Sequence, residues 1–148
     1  MSFIVSLDPG AKGAAAFFHY GQLQKIISFH KGDWRTDLFL ACKFEKPEIA
    51  VIEEVHSWSG QGVKSMFSFG ERNGEIKTIL HLADIPIQLI RPQEWQRRLG
   101  LLRQGKAAHK ELALKLFPQL KGVKEDIWDA VLIGYAAGLA ATPAIALK

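Results

Sequence analysis

The sequence predicts an α/β fold on a mixed five-stranded sheet, a three-stranded antiparallel meander plus two parallel strands, flanked by helices. Three observations lead there. Short apolar runs at residues 3–7, 13–19 and 22–29 are separated only by turn signals, Asp8-Pro9-Gly10 and Tyr20-Gly21. Two later runs, 48–53 and 86–90, instead alternate with stretches of helical periodicity, the pattern of parallel strands joined through helices. The 148 residues are 48% hydrophobic and 23% charged, the balance of a folded domain with one core rather than of a disordered chain.

Each element has its local reason. In 33–44 the apolar positions Trp34, Leu38, Ala41 and Cys42 recur at helical spacing, Asp33 stands as an N-cap and Pro47 follows the end. The polar, glycine-rich loop 56–62 precedes a helix-length segment, 63–83. Beyond the fifth strand, 93–99 reads as a short helix and 106–117 as a longer one stopped by Pro118. The last helix, 126–140, is apolar almost all round after its first turn and must be buried. The expected organisation is a single domain over residues 1–148.

Composition narrows the function classes. A lone cysteine, Cys42, excludes an intrachain disulfide and a cysteine-built zinc site. No signal-peptide pattern or bilayer-length apolar stretch is present, so a cytoplasmic location is expected. The net charge of +4 is unevenly spread: residues 91–124 hold nine basic and two acidic side chains, a local +7 that leaves −3 for the rest. Such a segment suits a polyanion, although a solvated basic helix has the same composition.

The acidic residues fall at informative places. Asp8 ends the first strand and Glu53-Glu54 end the fourth. If those strands are parallel neighbours, carboxylates from both lie at carboxyl ends, where open α/β sheets place their ligands; strand alternation lets only one of Glu53 and Glu54 join them. Asp126 and Asp129, three apart, are expected on one face of the last helix's first turn. Taken singly, these are a turn, a solvated strand end and an acidic helix start. Taken together, they are a cluster whose repulsion calls for a cation. Hard oxygen donors suit Mg²⁺ or Mn²⁺, and two such ions about 4 Å apart are the arrangement that cleaves phosphodiesters.

Five stretches carry a family resemblance: SLDPGAKGAA at 6–15, AVIEEVH at 50–56, FGERNGEIKTIL at 69–80, IPIQLIRPQEWQRRLG at 85–100 and KEDIWDAVLIGYAAG at 124–138. In this order and spacing the chain resembles RuvC, the bacterial Holliday junction resolvase family, in a phage-type or divergent form. The resemblance implies a ribonuclease H-like fold and a homodimer. It also implies two Mg²⁺ ions per site, with Mn²⁺ as substitute, and paired nicks in four-way or branched DNA. By the same resemblance, Asp8, Glu53, Asp126 and Asp129 are the catalytic metal ligands, and Lys106 matches a DNA-contacting position. Lys110, Arg97 and Arg98 are further candidates for phosphate contacts. The chain departs from the family pattern in running Ala11-Lys12-Gly13 where a Thr-Gly is usual, and in placing His56 where the bacterial enzymes carry an aromatic residue. Trp58 is the candidate for stacking on unpaired bases in its stead.

Gly70 and Gly74, four apart in the long helix, predict a close helix approach, within the chain or across a dimer seam. His81 and His109 read as ordinary helix residues. Two other readings compete: a YqgF-like nuclease acting on RNA, and a non-catalytic junction-binding protein. An actin-like ATPase begins similarly but needs two such domains, for which the chain has no room.

Overall fold

The computed structural model of the chain describes residues 3–54 and 60–141. The first three strands, β1 (Phe3–Asp8), β2 (Ala14–His19) and β3 (Gln22–Ser28), form the antiparallel meander. After α1 (Trp34–Glu45), β4 (Ile49–Glu53) pairs parallel to β1; after α2 (Val63–Leu82), β5 (Ile87–Ile90) pairs parallel to β4. The strand order is β3-β2-β1-β4-β5, a mixed five-stranded sheet as the sequence predicts, with the first and fourth strands as parallel neighbours. Helices α3 (Pro92–Arg98), α4 (Lys106–Leu116) and α5 (Trp128–Ala141) complete the chain, and no described helix is long and apolar enough to cross a membrane.

Strand alternation splits the core into two layers. Val5, Leu7, Ala15, Phe17, Ala50 and Ile52 face α1 and α2, where they meet Trp34, Leu38, Ile76 and Leu80. Ile4, Ala14, Ala16, Phe18 and Val51 face α5 and the α3–α4 region, where they meet Trp95, Phe117, Trp128 and Val131. Helix α1 starts where expected: Asp33 accepts hydrogen bonds from the Thr36 amide (3.4 Å) and hydroxyl (2.6 Å). It ends at Lys46, in the left-handed region at φ 51°, just before Pro47.

Helix α5 lies unusually close to the sheet, and small residues make this possible. A Cβ on Gly134 would stand 2.6 Å from the Ser6 hydroxyl and overlap the Phe18 ring. The Ser6 hydroxyl, fully buried on β1, donates to the Ala130 carbonyl at 2.6 Å. One hydrogen bond thus ties the start of the last helix to the middle of the first strand, and with it the residue next door, Asp129.

The last helix is shorter at its start than the sequence predicts. It begins at Trp128, so Asp126 precedes it, in a tight turn closed by the Ile127 amide donating to the Glu125 carbonyl at 3.0 Å, rather than sharing a helical face with Asp129. A turn at Lys121–Gly122 and a bend at Glu125 precede the helix, and the Val131 amide donates to the Ile127 carbonyl at 3.3 Å in its first turn.

Overfilling this contact should be costly. Gly134→Ala is expected to destabilise the fold by about 1–3 kcal/mol despite alanine's higher helix propensity. Gly138→Ala, on the same helix at an exposed position where a Cβ meets nothing within 4 Å, should be neutral or stabilising. Urea denaturation of both variants checks the contrast.

Candidate active site

The sheet sets the first two carboxylates side by side. In the parallel β1–β4 pair Leu7 lies opposite Ile52, so Asp8 and Glu53 end adjacent strands one residue further on. Asp8 shares its face with Ile4 and Ser6, and Glu53 shares its face with Val51; both therefore project toward α5. Glu54 goes the other way: its amide donates to the Ile90 carbonyl at 2.7 Å, and its carboxylate stands 3.6 Å from the Arg91 guanidinium. Of the two adjacent glutamates, Glu53 is the one on the face toward α5.

The Asp8-Pro9-Gly10 turn folds back on its own carboxylate. The Gly10 amide donates to Asp8 Oδ1 at 3.1 Å. Gly13 then passes so close to the Asp8 carbonyl that a Cβ there would collide with it, and its amide donates to the Gly10 carbonyl at 2.9 Å. Arg72, from α2, donates to the Pro9 carbonyl at 3.4 Å and ties this loop to the opposite helical layer.

Asp129 arrives from the first turn of α5 and Asp126 from the segment just before it, and a lysine from α4 meets them. Lys106 Nζ lies 2.8 Å from Asp129 Oδ2 and 3.6 Å from Asp126 Oδ2. The second oxygen of Asp129, Oδ1, is 2.7 Å from His109 Nδ1. Glu53 Oε2 accepts a hydrogen bond from the Trp95 indole N–H at 2.7 Å. Trp95 and His109 are both buried and in contact with each other, ring edge to ring face, with centroids 5.4 Å apart.

These charges feel one another. Burial, the Asp8 charge beside it and that of Asp129 push the Glu53 pKa up to about 7, against the opposing Trp95 hydrogen bond and Lys106 charge. Burial raises Asp8 also, against the Gly10 hydrogen bond and with help from Asp129 and Asp126. Burial alone would lower the pKa of Lys106, but the hydrogen bond to Asp129 and the charges of Asp129, Asp126 and Asp8 outweigh it and raise the pKa.

The donor set is four hard carboxylates around a spot already held by a cationic nitrogen, which fits a hard divalent cation. As the side chains stand, no three acidic, histidine or cysteine side chains among the described residues converge closely enough to hold a metal ion. Lys106 is 59% exposed at its side chain and so has room to leave.

The remaining predicted residues disperse. Lys106 belongs to the carboxylate cluster itself rather than to a separate basic surface. Lys110, exposed one turn further along α4, lies with its ammonium 5.5 Å from the centroid of the Trp128 ring. Arg97 is exposed at the end of α3, and together with Arg91, Gln93 and Glu94 it lines an open cleft. Arg98 is committed internally, to Glu94 at 2.5 Å and to the Ala136 carbonyl at 3.3 Å, where it ties α3 to α5. Gly70 and Gly74 are exposed and a Cβ on either meets nothing within 4 Å, so the close approach within the chain is not found among the described residues. His56 and Trp58 lie outside the described residues.

Sequence reasoning missed Trp95 and took His109 for an ordinary helix residue. Each sits in the basic segment, where charge drew the attention. The signal available was a tryptophan and a histidine, each with a polar nitrogen, at the inward positions of short helices that are otherwise largely polar or small.

A raised carboxylate pKa makes the metal-free fold sensitive to pH in a defined direction. Between the ordinary glutamate range and pH 7 the folded state holds a proton at Glu53 that the unfolded chain has lost, so stability is highest below that range and falls as pH rises through about 7. In EDTA, thermal melts should show a loss on the order of 1–3 kcal/mol between pH 5 and pH 8. Glu53→Gln should flatten that slope.

No protein-family model and no curated protein sequence matches the chain. Solved structures do. Thermus thermophilus RuvC in complex with Holliday junction substrate superposes with a TM-score of 0.69 at 16% identity, over 95% of this chain and 95% of that one. Thermus thermophilus RuvC alone gives 0.60 at 18% identity, over 93% and 95% respectively. The Fowlpox virus resolvase in complex with substrate Holliday junction DNA gives 0.52 at 18% identity, over 93% and 95%. The chain therefore has the fold of RuvC, the ribonuclease H-like architecture expected from its sequence.

Proposed function

We propose that the chain, taken over residues 1–148 as one nuclease domain, is a divalent-metal-dependent endonuclease that resolves four-way or otherwise branched DNA by paired nicks. One observation carries the reading. Two strand ends and the start of α5 bring Asp8, Glu53, Asp126 and Asp129 to one electrostatically coupled cluster at the carboxyl edge of the sheet. The solved structures of the same fold support the choice of substrate, since two of them are complexes with Holliday junction DNA.

In this reading the four carboxylates hold two Mg²⁺ ions, for which Mn²⁺ substitutes. When bound, such ions supply Lewis acidity and lower the pKa of a water to nucleophilic range. The protein's own groups do the rest. Asp8 and Glu53, half-buried and repelling each other, are held ready for positive charge by paired parallel strands. Lys106 balances Asp126 and Asp129 until that charge arrives, and is then free to meet a phosphate oxygen. Lys110 and Arg97, both exposed, extend the positive surface along the DNA backbone; Arg98, its guanidinium engaged, contributes less.

Paired nicks require two sites. The exposed face of α2, with Gly70, Gly74 and the 73%-exposed Phe67, is the proposed homodimer seam, and a two-fold axis there would match the two-fold symmetry of a junction. The location would be cytoplasmic, in a bacterial cell or encoded by a phage.

The test is cleavage of a labelled immobile four-way junction, beside linear duplex, Y-structured DNA and structured RNA, in Mg²⁺, Mn²⁺ and EDTA. Paired, metal-dependent nicks near the crossover are expected, from a species of dimer mass in sedimentation. Asp8→Asn should reduce nicking on the order of 100-fold or more while leaving junction binding intact, because several kcal/mol of charge stabilisation are lost without touching the basic surface. Junction binding with no nicks in either metal would favour a non-catalytic binding role, and preferential cutting of RNA a YqgF-like one.

A further inference from the structure

Three of the site's four carboxylates are tethered in a common way. Asp8 has one oxygen bonded to the Gly10 amide, Glu53 one oxygen to the Trp95 indole N–H, and Asp129 one oxygen to His109 Nδ1. The first tether belongs to the turn. The other two come from side chains that neither the sequence motifs nor the nuclease reading assigns.

We propose that Trp95 and His109 are positioning residues that each clamp one oxygen of Glu53 and Asp129 from beneath, leaving the second oxygen of each carboxylate free to bind a divalent cation. The inference rests on the metal-dependent reading above and specifies how that site is held.

The chemistry of the two rings supports the assignment. An indole N–H only donates and has no lone pair for a metal, so Trp95 can act on the site only through Glu53. An ionised carboxylate only accepts, so His109 Nδ1 carries the proton and donates to Asp129 Oδ1. Neither ring can follow its carboxylate if that moves. Trp95 is 0% exposed and His109 5%, and they pack on each other, 5.4 Å between centroids at 71°, between α3, α4 and the sheet. Lys106 differs in kind: it pairs with the other oxygen of Asp129, Oδ2, but from a mostly exposed side chain. The fixed partner holds Oδ1 and the displaceable partner holds Oδ2, which makes Oδ2 the oxygen open to exchange for a cation. On Glu53, Oε1 is the oxygen left open in the same way.

A buried ring with a satisfied polar atom can also be mere core filling, so the test must read orientation rather than stability. Mn²⁺ binding to the full chain, followed by electron paramagnetic resonance, reads the site without any DNA. Trp95→Phe keeps most of the ring volume and removes the N–H. His109→Phe does the same at Asp129, whereas His109→Asn keeps an N–H donor near the Nδ1 position. Trp95→Phe and His109→Phe are expected to weaken Mn²⁺ binding about 10- to 100-fold, the usual effect of losing a hydrogen-bond partner of a metal ligand, and His109→Asn to restore most of it. Thermal melts establish that each variant is folded; if His109→Phe is not, Trp95→Phe carries the test. A second signature is independent of metal: the Trp95 indole N–H resonance should shift upfield in Glu53→Gln.

Folded variants that bind Mn²⁺ as the parent chain does would overturn the inference, as would His109→Asn binding as weakly as His109→Phe. Junction nicking by the parent together with unchanged affinities in the variants overturns the inference alone. The expected affinity pattern without nicking of any branched DNA overturns the nuclease reading alone. A parent chain that binds no Mn²⁺ overturns both.

Discussion

The arrangement depends first on how closely α5 lies against β1. Gly134 removes the one side chain that would hold the helix off Phe18 and Ser6, and the Ser6 hydroxyl fastens the helix by the Ala130 carbonyl. Asp129 is the neighbour of Ala130, and Asp8 lies two residues beyond Ser6 on the same face of β1. A contact in the middle of the core therefore sets the separation of two charges at its edge. Small residues on β2, Ala14 and Ala16, keep the same side of the sheet low enough for the helix to settle.

That closeness has an electrostatic cost, which the chain offsets locally. Carboxylates from three elements cannot approach one another in a partly buried place without raising each other's pKa, and Glu53 shows this most clearly at about 7. Lys106 neutralises two of the four, Trp95 and His109 give one hydrogen bond each, and the Gly10 amide gives another. These contributions hold the cluster together yet leave it short of positive charge. A fold optimised for stability alone would have filled these positions with apolar residues.

Much of this could be read from the chain. The mixed sheet follows from apolar runs and turn signals, and Asp8 and the Glu53-Glu54 pair follow from strand ends, because strand periodicity is rigid and parallel pairing sets ends beside ends. Other features depend on contacts between residues far apart in sequence. Asp126 lies outside the helix because the chain around Gly122 is still turning, which a spacing of three between aspartates does not reveal. Which of Glu53 and Glu54 faces the site is decided by β4's face, legible only once Val51 is seen against α5. Trp95 and His109 were hidden because their partners are about forty and twenty positions away and their own segment is dominated by charge. Lys106 was legible as a cation but not as the centre of an acidic cluster.

If the proposed nuclease reading holds, the Lys106 ammonium gives way to a divalent cation held by carboxylates from β1, β4 and the start of α5. Anomalous diffraction from crystals of the protein soaked in Mn²⁺ tests it most directly. Anomalous density is expected in contact with Asp8, Glu53 and Asp129, with Lys106 Nζ displaced from Asp129 Oδ2. Fully occupied crystals showing Mn²⁺ elsewhere, or the Lys106–Asp129 pair intact with no density beside Asp8, would contradict it.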